Sequence, residues 1–170
     1  LRKVESRDLR VESGRGKLKT IKELKAIVER SRKRGKKVVL ANGCFDLLHV
    51  GHLRYLEAAK RLGDLLIVAI NGDDSVRRLK GRGRPLMKLK DRVALVSAIG
   101  CVDYVTVFGD STVKRLLRTL RPDVHAKGSD YTTDTVPERD VVRAYGGRVA
   151  IVGGPKVQST TDLIRRIKNL

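Results

Sequence analysis

Tryptophan is absent, methionine occurs once, and phenylalanine with tyrosine makes up only 4% of the chain. Leu, Ile, Val and Ala must therefore do most of the packing, and no aromatic-rich ribonucleoprotein motif is present. Cysteine is equally scarce. Cys44 and Cys101 form no C-x-x-C or clustered ligand pattern, which favours two reduced, partly buried side chains. Long apolar runs are missing too: no stretch approaches bilayer-spanning length, and no signal-type apolar region precedes a small-residue cleavage site. The expectation is a soluble cytoplasmic protein without a membrane span. Acidic residues are in deficit, 19 against 38 Lys plus Arg, giving a net charge of +19. That favours anionic partners, a class that includes nucleotides and sugar phosphates as well as nucleic acid and acidic lipid.

What is present supports one globular domain: 170 residues, of which 41% are hydrophobic. The charge is unevenly spread. Residues 1–37 hold fifteen Lys and Arg and five Asp and Glu, an excess of +10, which leaves +9 for the remaining 133 residues. Residues 1–16, LRKVESRDLRVESGRG, carry no sustained apolar face and read as a mobile basic tail, with a single domain over 17–170.

From Thr20 onward, helical and strand patterns alternate. T-I-K-E is a capping-box pattern, and Ile21, Leu24, Ile27 and Val28 recur at helical spacing up to Gly35. VVLA (38–41) and LLIVAI (65–70) are continuous apolar runs, as buried strands are. VDYVTVF (102–108), VHA (124–126) and RVAIV (148–152) continue the series. Helical segments separate the strands, near 53–62, 91–99, 111–120 and from 137, and a last one follows 160. Alternation of this kind predicts an α/β fold, a Rossmann-like doubly wound parallel sheet with helices on both faces. The loops after residues 41, 70, 126 and 152 then gather at the carboxyl edge, where such sheets bind substrates.

One of these loops holds the chemistry. NGCFDLLHVGH (42–52) places His49 and His52 around Gly51, between a strand and the start of a helix. Free amides at that helix start would attract an anion, and two imidazoles would hydrogen-bond phosphate oxygens as charge redistributes. A zinc hydrolase would show H-E-x-x-H, and H-V-G-H has neither that spacing nor its Glu. The residues alone also permit an ordinary loop with incidental histidines.

The surrounding sequence goes further. KVVLANGCFDLLHVGHLRYLEAAKRLGD, followed in order by LLIVAINGDDSVRRLKG, KGSDY, RAYGG and STTDLIRRI, resembles the H-x-G-H nucleotidyltransferases. Within them it resembles bacterial D-glycero-β-D-manno-heptose 1-phosphate adenylyltransferases over about residues 17–170. The resemblance implies transfer of AMP from ATP to that sugar phosphate, giving ADP-heptose and pyrophosphate for lipopolysaccharide or surface-glycan precursors. It implies Mg2+ arriving with ATP rather than in a protein cage, so no metal ligands are assigned. A homo-oligomer, a dimer, and a separate sugar kinase supplying the substrate are implied as well. A cytidylyltransferase, or a nucleotidyltransferase for another sugar or polyol phosphate, is the alternative. A nucleic-acid-binding protein driven by the basic leader is a second alternative from another class, disfavoured because no specific recognition motif is visible.

Carried over residue by residue, the resemblance assigns catalysis to His49, His52 and Arg92, the last as a triphosphate contact. It assigns nucleotide binding to Asn42, Gly43, Cys44, Phe45, Gly51, His52, Lys127, Asp130, Ser159, Thr160 and Thr161. Ser159 to Thr161 also read as a helix cap, and the two roles can coexist. Substrate binding or loop organisation falls to Asp46, Asn71, Asp73, Asp74, Lys80 and Arg84.

Overall fold

The computed structural model describes residues 16–154 and 160–169. Almost all of the basic tail, and Ser159, lie outside the described residues. The chain alternates α1 (Ile21–Lys33), β1 (Val38–Gly43), α2 (Val50–Lys60), β2 (Leu65–Asn71), α3 (Asp73–Lys80) and α4 (Leu89–Ala98). It continues through β3 (Tyr104–Phe108), α5 (Lys114–Leu120), β4 (Val124–Gly128), α6 (Arg139–Ala144), β5 (Arg148–Val152) and α7 (Thr160–Lys168). The expected α/β fold is what forms, a five-stranded parallel sheet in the order β3-β2-β1-β4-β5.

The apolar runs explain the layers. Side chains alternate across a strand, so a run buried throughout must face a helix layer on each side. Val39, Ala41, Val68 and Ile70 pack with Leu56 and Ala59 of α2 and Val93 and Val96 of α4. Val38, Leu40, Ile67 and Ala69 point the other way, onto Leu24 and Val28 of α1, Leu116 and Leu117 of α5, and Val142 of α6. Helix α1 begins where expected: Thr20 Oγ1 accepts from the Glu23 amide, and Glu23 Oε2 accepts from the Thr20 amide at 2.8 Å. The β3 edge does not stand open, since Lys17 and Lys19 exchange backbone hydrogen bonds with Val105.

The strand order reverses between β1 and β4. The chain winds outward from β1 through β2 to β3, then returns across the sheet to place β4 on the other side of β1. Crossovers leaving β1 and β4 diverge, which opens a crevice beyond their carboxyl ends at Gly43 and Gly128.

Candidate active site

A cavity of about 690 Å³ occupies that crevice, walled by the loops that follow β1, β4 and β5, by Asn71 at the end of β2, and by residues before α5. It gathers Asn42, Gly43, Cys44, Phe45, Asp46, His49, Gly51, His52, Lys80, Arg84, Lys127, Asp130 and Thr160 around one space.

The chain's own contacts shape the β1–α2 loop. Phe45 and Leu47 adopt left-handed backbone, φ +50° and +52°, a conformation uncommon for non-glycine residues. Phe45 is buried, and a Cβ on Gly43 would lie 3.1 Å from its ring. Glycine at 43 lets the loop fold this ring under itself.

His49 then caps α2. Its Nδ1 accepts the Gly51 amide at 3.1 Å, and the His49 amide donates to His52 Nδ1 at 3.3 Å. Both Nδ1 atoms are thus acceptors, so each neutral ring carries its proton on Nε2, with the two ring centroids 4.0 Å apart. Burial, and then the neighbouring His49, lowers the His52 pKa to about 4, against the opposing pull of Asp46. At neutral pH His52 is an uncharged Nε2–H donor. The expectation of open amides at this helix start is corrected for two of them. The Gly51 amide is spent orienting His49, and the His52 amide bonds the His49 carbonyl, so the imidazoles stand as side-chain donors for an anion.

Asp46 is buried and fully occupied. It accepts from Arg84 Nε at 2.6 Å and from the amides of Leu86 and Met87 at 2.9 Å. Burial works to raise its pKa, but the Met87 and Leu86 amides and the Arg84 guanidinium outweigh burial and hold it below the ordinary carboxylate value. Asp46 therefore latches the 84–87 segment to the signature loop. Thr160 Oγ1 donates to the Asp46 carbonyl at 2.8 Å, which brings α7 to the same point. Thr161 lies in α7.

Arg92 does not reach the cavity. It has no exposed surface, and its guanidinium donates to the carbonyls of Met87, Cys44 and Asn71 and to Asp73 Oδ1. Such an enclosed side chain ties α4 to the ends of β1 and β2 and has little left for a triphosphate. Asp73 is turned to the same purpose, pairing with Arg92 and accepting the Leu89 amide, and exposed Asp74 pairs with Arg77. Neither aspartate lines the cavity. Asn71 does, with Nδ2 bonded to Ser75 Oγ.

On the β4 side, Lys127 Nζ sits 3.6 Å from Glu138 Oε2 and 4.5 Å from the centre of the Tyr131 ring. Burial lowers the Lys127 pKa, and Glu138 only partly restores it. Sequence reasoning did not single out Glu138, Tyr55, His125 or the 111–113 turn. Tyr55 Oη donates to the Ala126 carbonyl at 2.8 Å, pinning α2 to β4 beneath the cavity. Gly153 passes so close that a Cβ would meet Tyr55 Cα at 3.3 Å. No motif marks these positions; only helical periodicity, for Tyr55, carried any signal.

Known proteins share this sequence and fold. The model of the cytidylyltransferase-like family matches residues 40–166. The bifunctional protein HldE of Syntrophotalea carbinolica is 50% identical over 151 residues, 89% of this chain and 31% of that protein. The HldE of Geobacter metallireducens is 49% identical with the same coverage. The chain spans about a third of the length of these relatives. A crystal structure of the lipopolysaccharide core biosynthesis protein from Thermoplasma volcanium GSS1 is 32% identical, with a TM-score of 0.59, covering 69% of this chain and 95% of that one.

Proposed function

Since the chain belongs to the cytidylyltransferase-like family, we propose that it transfers AMP from ATP to D-glycero-β-D-manno-heptose 1-phosphate, releasing pyrophosphate. The observation that carries this reading is the pair of Nδ1-anchored imidazoles at the mouth of α2, inside a crevice large enough for a nucleotide. In the reaction a phosphate oxygen of the sugar phosphate attacks the α-phosphorus of ATP. One P–O bond forms there as the bond to the bridging oxygen breaks, and its electron pair leaves with pyrophosphate. The protein needs no covalent intermediate, only alignment and donors aimed at the charge that develops.

His49 and His52 supply those donors through Nε2, Gly51 leaves room between them, and Lys80 and Arg84 bring positive charge from the basic segment across the cavity. Arg84 is steadied by Asp46. Mg2+ enters as part of the nucleotide substrate, held by phosphate oxygens and water. Among the described residues, no group of three or more His, Cys, Asp or Glu side chains is arranged to hold a metal ion. Among them, too, no helix is long and apolar enough to cross a membrane.

The test is magnesium-dependent pyrophosphate release with this heptose phosphate, ATP against CTP, with the product identified by mass. ADP-heptose formed preferentially from ATP supports the reading. CDP-sugar as the main product replaces adenylyl by cytidylyl transfer, and no transfer with either nucleotide sinks this acceptor.

A further inference from the structure

His125 lies behind the cavity, where the transfer chemistry calls for no imidazole. It has no exposed surface, and its Nε2 is 3.0 Å from Asn42 Oδ1. Its Nδ1 is buried without a hydrogen-bond partner among the described residues. The contact crosses from β4 to β1, the two strands that flank the switch in strand order. Asn42 is the member of the pair that lines the cavity.

Two arrangements satisfy such a contact. In the first, Nε2–H donates to Oδ1 and Nδ1 keeps a lone pair. In the second, the asparagine amide donates to a bare Nε2, and Nδ1 carries an N–H with nothing to receive it. Buried donors left without an acceptor are rarer than under-used acceptors, so the first arrangement wins. Burial, reinforced by the Lys127 charge, lowers the His125 pKa to about 3, so the ring is neutral and the two tautomers are the alternatives. With Oδ1 engaged by His125, the other branch of the amide, Nδ2, is left for the cavity.

We propose that His125 is a positioning residue that fixes the rotamer of Asn42, so that two N–H donors rather than a carbonyl oxygen face the phosphate groups of the nucleotide. A carbonyl oxygen at that place would repel an anion, and a freely flipping amide would present it part of the time. The inference rests on the nucleotidyltransferase reading for the identity of the ligand. The His125–Asn42 arrangement itself does not depend on that reading.

The experiment measures ATP affinity by calorimetry for the parent, His125→Phe, Asn42→Ala, the double variant and His125→Gln, each with its thermal midpoint. His125→Phe and Asn42→Ala should each weaken ATP about tenfold, as expected for one hydrogen bond to a charged group. The double variant should be no weaker than Asn42→Ala, because His125 acts only through Asn42. His125→Gln, which keeps a side-chain donor, should recover most of the affinity. Unchanged affinity in His125→Phe, or losses that add in the double variant, would overturn the proposal.

The tautomer of His125 in the parent protein, read from its ring nitrogen resonances, needs no variant to fold. Protonated Nε2 is expected, and protonated Nδ1 overturns the arrangement. A parent that binds no nucleotide at all would overturn the ligand assignment, while the tautomer still decides between the two arrangements.

Discussion

Two acid–base pairs line the cavity, and they are finished to different degrees. Asp46 receives Arg84 at 2.6 Å and two backbone amides. Glu138 lies 3.6 Å from Lys127, and its Oε2 has no hydrogen-bond partner among the described residues. The first pair is closed and structural, since every partner of the carboxylate is protein. The second leaves buried capacity unused. A carboxylate held by three donors sinks in pKa, and an amine that loses water for one distant partner sinks as well, because burial dominates. The β1 side of the site is therefore fixed by protein contacts, and the β4 side is less completely determined by them.

Removing the closed pair should have the largest effect. Asp46→Ala strands Arg84 and the Leu86 and Met87 amides, and a loss of about 3–5 kcal/mol in denaturant unfolding is expected. Asp46→Asn should lose less, since a carbonyl oxygen still accepts. Because the folded Asp46 pKa lies below 3.8, the part of its contribution that depends on ionisation is complete above that value. That part is lost as pH falls through the folded pKa, so the gap between parent and Asp46→Ala should narrow in acid. A cost of Asp46→Ala no greater than that of Glu138→Gln would erase the contrast.

Next in size is His52→Ala, on the finished side, which should slow transfer about 10²–10³-fold through loss of one oriented donor. It should leave ATP affinity far less affected, and single-turnover rates beside equilibrium binding check the split. His52 also titrates at about 4 rather than 6.5. The unfolded chain takes up that proton first, so stability present above pH 6.5 drains as pH falls toward 4. The slope in that window should be shallower in His52→Ala.

The smallest effect is expected at the open pair. Glu138→Gln should cost about 1–2 kcal/mol, less than a saturated buried pair, because Lys127 can shed its proton instead. With its folded pKa depressed below 10.5, Lys127 makes the parent gain stability as pH rises toward that value. Lys127→Met should lack this gain in urea unfolding between pH 7 and pH 10. Identical pH profiles would show that the β4 side is as settled as the β1 side.

The strands were legible because a parallel sheet covered on both faces writes itself as unbroken apolar runs, VVLA and LLIVAI above all. The start of α1 was legible from Thr20 and Glu23, since a capping box is a local contract between residues three apart. His49 and His52 stood out for the same reason of closeness in sequence. Arg92 was assigned a triphosphate contact through the resemblance alone, and its enclosure carries no local signal, because it arises where α4 is laid over the ends of β1 and β2. Glu138 and His125 gave no signal, as their partners are 11 and 83 residues away.

By itself the sequence determined the elements, the layers and the loop that carries the imidazoles, all of which follow from periodicity and from contacts within a few residues. Only the tertiary structure decided which strands flank β1, that the Gly51 amide orients His49, that Arg92 is enclosed, and that Asp46 rather than Glu138 has its donors complete. Those outcomes depend on side chains tens of residues apart meeting where water is excluded. There, the partners assembled by the fold set each group's charge, tautomer and orientation.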